Sequence, residues 1–197
     1  LLNSSANEKT NFLKALDGKR IYSGPSGAPT RGKLEVLPTG KNFFSVDIRA
    51  IPTETAWDLG KRSAEQIVEL YLQENGEHLS HLAISIWGTS TMRNGGEDIC
   101  QLFALMGLKP IWDGTLRRVV DVEVIPLSVL NRPRVDVTLR ISGLFRDAFP
   151  QIIELIRRGQ NLIGNLKESS SNNPLANSYR NGNTKSRIYG SAPGSYG

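Results

Sequence analysis

RVDVTLRISGLFRD, residues Arg134–Asp147, decides the fold. Val135, Val137, Leu139 and Ile141 alternate with Asp136, Thr138 and Arg140, the two-residue period of a strand with one buried face. Ser142-Gly143 then breaks the pattern, and the chain runs on to a charged pair, Arg146 and Asp147. Polar groups therefore gather where a strand gives way to a helix. In open α/β sheets that carboxyl edge is where ligands bind.

Outward from this strand, helical and extended patterns succeed one another. Thr53 is placed to cap a helix running to about Glu74, with Trp57, Gly60, Ala64, Ile67 and Tyr71 recurring at helical spacing and Asn75-Gly76 to stop it. Leu82–Trp87 is a short apolar run, read as a buried parallel strand, and Thr89–Gly96 as a polar loop after it. A helix is predicted over Glu97–Met106, ended by Gly107, and a strand over Val119–Ile125. Another helix follows around Pro150–Arg158, with Pro150 in its first turn. Alternation of this kind predicts an α/β fold, a layered sheet with flanking helices.

The flanks differ from this body. Residues 1–52 are turn-rich, with Gly24-Pro25-Ser26-Gly27, Thr30-Arg31-Gly32 and Pro38-Thr39-Gly40, and are read as a segment facing substrate or another domain. They admit a short helix around Asn11–Leu16 and strands at Lys33–Val36 and Phe43–Val46. Residues 53–162 form the predicted α/β body. Residues 163–197, with ESSSNN and NSYRNGNTKS, read as a polar flexible linker or tail, too poor in apolar side chains to offset ordering.

Composition narrows the function classes. The 197 residues are 39% hydrophobic and carry 24 basic against 19 acidic groups. Residues 165–197 supply much of the net charge, and no cluster of Lys and Arg interleaved with aromatics points to nucleic acid. No apolar run approaches the ~18 residues of a membrane span. Cys100 is the sole cysteine, which excludes an internal disulfide and favours a cytoplasmic location. The chain begins at Leu1 and closes on SAPGSYG, and reads as a piece of something longer.

Several residues carry candidate chemistry. Trp87-Gly88-Thr89-Ser90-Thr91-Met92-Arg93-Asn94-Gly95-Gly96 joins a strand to a helix; its glycines allow close backbone approach, and Arg93 offers two-pronged donors to a carboxylate. The segment is neither a Walker A loop nor G-x-G-x-x-G, which counts against nucleotide binding. Lys41 and Asn42 follow a fixed turn and suit an acidic ligand. Asp136 and Asp147 are candidate proton acceptors, although Asp136 also has Arg134 and Arg140 within reach as plain partners. Trp87, Phe145 and Phe149 are candidate walls for a flat ring. His78 and His81 read as turn residues rather than metal ligands, and Cys100 as a buried inert thiol.

Long phrases carry a resemblance. SGPSGAPTRGKLEVLPTGKNFFSVDIRAIPT (Ser23–Thr53), AISIWGTSTMRNGGEDICQLFALMGLKPIWD (Ala83–Asp113), IPLSVLNRPRVDVTLRISGLFRDAFP (Ile125–Pro150) and RIYGSAPGSYG (Arg187–Gly197) resemble the CobN/magnesium-chelatase H family of chelatase large subunits. The wording is closer to the cobalt branch. The resemblance implies an inner-to-late fragment of a large subunit that binds a tetrapyrrole, with separate ATPase-type subunits using ATP. Cobalt would be the substrate metal and hydrogenobyrinate a,c-diamide the corrin precursor. Magnesium and protoporphyrin IX are the alternative, and a scaffold segment docking the ATPase subunits is another. Within that frame Asp147 and Asp136 are the catalytic candidates. Lys41, Asn42, Arg93, Arg140 and Trp87 are the ring-binding ones, with Lys41 and Arg93 expected at one cleft.

Overall fold

Strand β4, Asp136–Ile141, is where the sequence places it, and it organises the second of two units. The structure, a computed structural model, describes residues 2–24, 29, 34–41, 47–114, 117–192 and 194–195. The chain divides into Leu1–Asp47 and Ile48–Gly197.

In the first unit, helix α1 spans Leu2–Leu16 and is longer than the predicted Asn11–Leu16. Asn7 donates to the Thr39 carbonyl and Asn11 to that of Gly40, at 2.6 Å for the latter, so the helix holds the turn at 39–40. Leu34–Val36 is a 3-10 turn where a strand was predicted, and the strand predicted at Phe43–Val46 lies outside the described residues.

The second unit opens with a 3-10 turn, Ile48–Ala50, and helix α2, Glu54–Asn75. Thr53 caps α2 by accepting from the Ala56 N–H, and Gly76 ends it at φ 71°, a conformation that favours glycine. Then come β1 (His81–Ile86), α3 (Gly88–Asn94), α4 (Glu97–Met106), β2 (Leu108–Trp112), β3 (Val119–Val124) and α5 (Leu127–Leu130). Strand β4 leads into α6 (Gly143–Ala148) and α7 (Pro150–Gly164), followed by α8 (Pro174–Arg180) and β5 (Ile188–Gly190). The architecture is mixed α/β, as predicted, but divided into two sheets. One has the order β1-β4-β5, all parallel, and the other is the antiparallel pair β2-β3.

Helix α4 is the centre of the core. Ile99, Leu102, Phe103, Leu105 and Met106 are fully buried, and α4 packs against β4, where Val137 and Leu139 are buried, and against α7, where Ile152 and Ile156 are. Helix α2 lies close against it because position 60 is Gly: a Cβ there would stand 2.6 Å from the Gln101 nitrogen and the Glu97 carbonyl oxygen.

Five local readings need correction. Thr89–Gly96 is mostly the helix α3: Thr91 is fully buried and its hydroxyl bonds Asp98 at 2.9 Å, so tertiary packing overrides a weak local signal. β1 is an edge strand among the described residues, half exposed rather than buried. β3 leaves the parallel sheet because Leu108–Trp112, unassigned from sequence, pairs with it. The break at Ser142-Gly143 holds, but a helix begins there at once rather than around Pro150: Ser142 accepts from the Phe145 N–H at 3.2 Å and caps α6. Residues 163–197 carry α8 and the sheet-edge strand β5, anchored by buried Asn173 and Leu175, two side chains that bulk composition does not weigh.

Candidate functional site

The two ends of β4 differ in chemistry. Just before its amino end, the Arg134 side chain is 1% exposed. Its Nε and Nη2 bond the Glu168 carboxylate at 2.8 and 2.9 Å. Nη1 donates to the Met106 and Gly107 carbonyls and Nη2 to that of Ile125. All five guanidinium N–H groups are thus used, three of them on carbonyls at the ends of α4 and β3, of which that of Gly107 also accepts from the Ile125 N–H. Burial alone would raise the Glu168 carboxyl, but hydrogen bonds from Arg134 and Asn173, with the Arg134 charge, outweigh it and hold it below the ordinary value. Asn173 extends the network to the Ile163 carbonyl at 3.0 Å and caps α8 through Ala176. Arg132 covers the carbonyls of Ala104 and Leu105.

Asp136, the first residue of β4, is buried and held by Arg187, whose Nε reaches both carboxylate oxygens at 3.1 Å and whose Nη2 reaches one at 3.0 Å. Its partner is not the Arg134 or Arg140 of the sequence reading, but a residue beside β5.

The carboxyl end is open. A cavity of about 740 Å³ runs over the ends of β1, β4 and β5 and over one face of the sheet. Its floor is small and polar: Ala83 neighbours Thr138, Ser85 neighbours Arg140, and Arg140 neighbours Tyr189 across the strands. Trp87, 63% exposed, and Tyr189, 54% exposed, stand among the lining residues. Arg140 is exposed and has no hydrogen-bond or ion-pair partner among the described residues. Ser142 Oγ accepts from the Gly88 and Phe145 N–H groups, both at 3.2 Å, so its lone pairs are engaged and its proton is left to donate. The cavity therefore offers a guanidinium, a hydroxyl donor and two aromatic faces around a flat floor.

Of the residues singled out from sequence, Trp87 and Arg140 meet here. Asp147 is on α6, beyond the same strand end, and pairs with Arg146 at 2.7 and 3.0 Å. Arg146 also donates to the carbonyls of Ser191 and Ala192, which ties the helix to the chain after β5. Arg93, in the last turn of α3, is exposed and does not line the cavity. Lys41 lies in the first unit, packed on Gly24, and lines a separate cavity of about 620 Å³ with Glu8 and Phe12. Asn42 lies outside the described residues. Phe145 and Phe149 are fully buried, their ring centroids 5.2 Å apart, and belong to the core rather than to a ring-binding wall. Sequence reasoning missed Tyr189, Ser85 and Thr138; only pairing opposite Arg140 marks the first two, and a place two residues before it on β4 the third. Cys100 is buried, and burial pushes its thiol up, as an inert core group requires. Burial likewise raises the Asp98 carboxyl, against hydrogen bonds from Thr91 and Ile99. Among the described residues, no group of three or more His, Cys, Asp and Glu is placed to hold a metal ion, and no helix is long and apolar enough to cross a membrane.

Residues 1–197 match the CobN/Magnesium Chelatase family. The chain belongs to that family. It is 50% identical over 186 residues to an aerobic cobaltochelatase subunit CobN from Pseudomonas aeruginosa, covering 94% of this chain and 15% of that protein. The magnesium-chelatase H protein from Chlorobaculum parvum is 36% identical over 158 residues, 80% of this chain and 12% of its own length. Among solved structures, the catalytic subunit of cobaltochelatase from Mycobacterium tuberculosis matches 98% of this chain and 17% of its own, at 42% identity and a TM-score of 0.82. The chain thus spans about one sixth or less of the relatives it matches.

Proposed function

We propose that this chain is part of the large subunit of an ATP-dependent cobaltochelatase, and that the cavity at the carboxyl end of the parallel sheet holds the carboxylated rim of the macrocycle. The cobalt reading is carried by one observation: identity is 50% to the cobaltochelatase relative and 36% to the magnesium-chelatase one. The substrates are then cobalt and a corrin precursor, hydrogenobyrinate a,c-diamide, with ATP consumed by partner subunits in the cytoplasm. Magnesium and protoporphyrin IX are the alternative.

The site chemistry supports a rim-binding role. A carboxylate taken from water needs a charged partner and further donors to offset its desolvation. Arg140 and Ser142 supply these, and Trp87 and Tyr189 supply faces for a flat conjugated ring. Metal insertion also needs an acceptor for the ring N–H protons. Asp147 is the favoured candidate, half-exposed beyond the strand end that forms the cavity. Asp136 would have to leave Arg187 to act, so its role as an acceptor ranks second. Lys41, Asn42 and Arg93 remain candidates for other acidic groups of the ring.

The engagement of both carboxylates by arginines favours one further reading, that the segment shapes the subunit and docks the ATPase partners while the acceptor lies elsewhere. Reconstitution decides between them. The full-length subunit, with its ATPase partners and ATP, should insert cobalt into the corrin precursor in preference to magnesium into protoporphyrin. Asp147→Asn should keep macrocycle binding and lose insertion. The reverse metal and ring preference overturns the cobalt assignment, and full activity in Asp147→Asn removes this residue as acceptor.

A further inference from the structure

Among the described residues, the parallel sheet ends at β1. This strand is six residues long, His81–Ile86, and its main packing partner among the described residues is β4. Parallel sheets normally have helices over both faces, and β1 lacks that cover on the face of His81, Ala83 and Ser85. His81, Ala83 and Ser85 are exposed on one face, and on the other Leu82 and Ile84 are only partly covered while Ile86 is buried. Exposed edges in natural proteins are guarded by brevity, proline, lysine or a bulge. HLAISI has none of these, and its pairing with β4 runs without a bulge from His81 to Ile86. The opposite edge, β5, is three residues long and guarded by its shortness. The two edges are therefore not equivalent.

We infer that β1 is an interior strand of a larger sheet, and that an extended segment from the remaining polypeptide of the same large subunit pairs along its free edge. The segment supplies main-chain hydrogen bonds to the outward N–H and C=O groups of β1, and apolar side chains over Leu82 and Ile84. This is addition of a strand to an open edge, in which backbone bonding provides affinity and alternate side chains provide fit. The occupant belongs to the same subunit for two reasons. The same fold occurs in a cobaltochelatase catalytic subunit of which it covers 17%, so most of the polypeptide that surrounds it there lies outside this segment. A tethered segment also competes at an effective concentration on the order of millimolar, well above that of a second copy. The added strand would extend the floor of the Arg140 cavity past Ser85. The inference rests on family membership and on the edge, not on which ring the cavity takes.

Hydrogen exchange on the full-length subunit tests it. In an edge strand, alternate amides face solvent and exchange freely; in an interior strand all are bonded. All amides in a peptide covering Leu82–Ile86 should therefore be slowed about 100-fold or more relative to unstructured chain, at every protein concentration. Leu82→Lys in the full-length subunit should speed exchange of that peptide while leaving the α4 peptides, Glu97–Met106, unchanged. Free exchange of about half the wild-type β1 amides would overturn the inference. Protection that appears only as protein concentration rises would assign the edge to a second copy and overturn it equally.

Discussion

The two ends of one strand carry arginines with opposite fates. Arg134, just before β4, is buried with every N–H bonded, while Arg140, near its carboxyl end, is exposed and has no partner among the described residues. A buried guanidinium that is fully satisfied binds elements together; it joins α4, β3, β4 and the chain before α8. A guanidinium left open beside a cavity costs the fold little and remains available to a ligand. The difference teaches that residue type marks neither role. Burial and the state of the donors do.

The sharpest way to break this comparison is Arg134→Met. It removes the cation, leaves the buried side of the Glu168 carboxylate with Asn173 as its remaining donor, and takes the side-chain donor from the carbonyls of Met106 and Ile125. Breaking a buried pair from one side costs about 3–5 kcal/mol, so urea unfolding should show a loss of that size. A loss under about 1 kcal/mol would mean that the amino end of β4 is not the keystone.

Asp136→Asn should cost less, about 1–3 kcal/mol, because the Arg187 left behind is partly reachable by water. Its local consequence is specific: β5 should loosen first, with faster amide exchange at Ile188–Gly190 and little change in α4. Uniform destabilisation would mean that β5 is held by something other than this pair.

The charged cluster also sets a pH dependence. Glu168 has its carboxyl held below the ordinary value of 4.5, so its contribution to stability is complete above that value and is lost as pH falls through the lower, folded-state value. Asp98 has the opposite sign. Its carboxyl is raised, so its contribution is complete below 3.8 and is lost as pH rises through the folded-state value. Glu168→Gln should flatten the acid side of a denaturation-midpoint profile, and an unchanged acid slope would remove Glu168 as its cause.

Much of the body was legible because its signals are local. Thr53, Gly76 and Gly107 bracket α2 and α4, and the alternation from Val135 to Ile141 is that of a half-buried strand. What escaped depends on distant partners. Helix α3 is short and polar and forms where Gly88 packs against Leu144 and Phe145, too close for a Cβ. Strand β2 contains Pro110, which argues locally against a strand, yet it pairs with β3 as one strand of a two-stranded sheet. The Arg187 that holds Asp136 is 51 residues away in a segment whose composition suggests a tail. At the site, Trp87 and Arg140 were legible as polar or aromatic residues at a strand end. Tyr189 was not, because it reaches the cavity only through the pairing of β5 with β4.

The smallest expected effect on stability belongs to Arg140→Ala, within about 0.5 kcal/mol of wild type, since the side chain is exposed and has no partner among the described residues. Its effect on binding is the most direct test of the division between the two ends. In the full-length subunit, a fluorescence-quenching titration with the corrin precursor should show the dissociation constant raised about tenfold, the order expected for losing one charge-assisted hydrogen bond, with the thermal midpoint unchanged. An unchanged dissociation constant, or a collapse in stability matching that of Arg134→Met, would contradict the account.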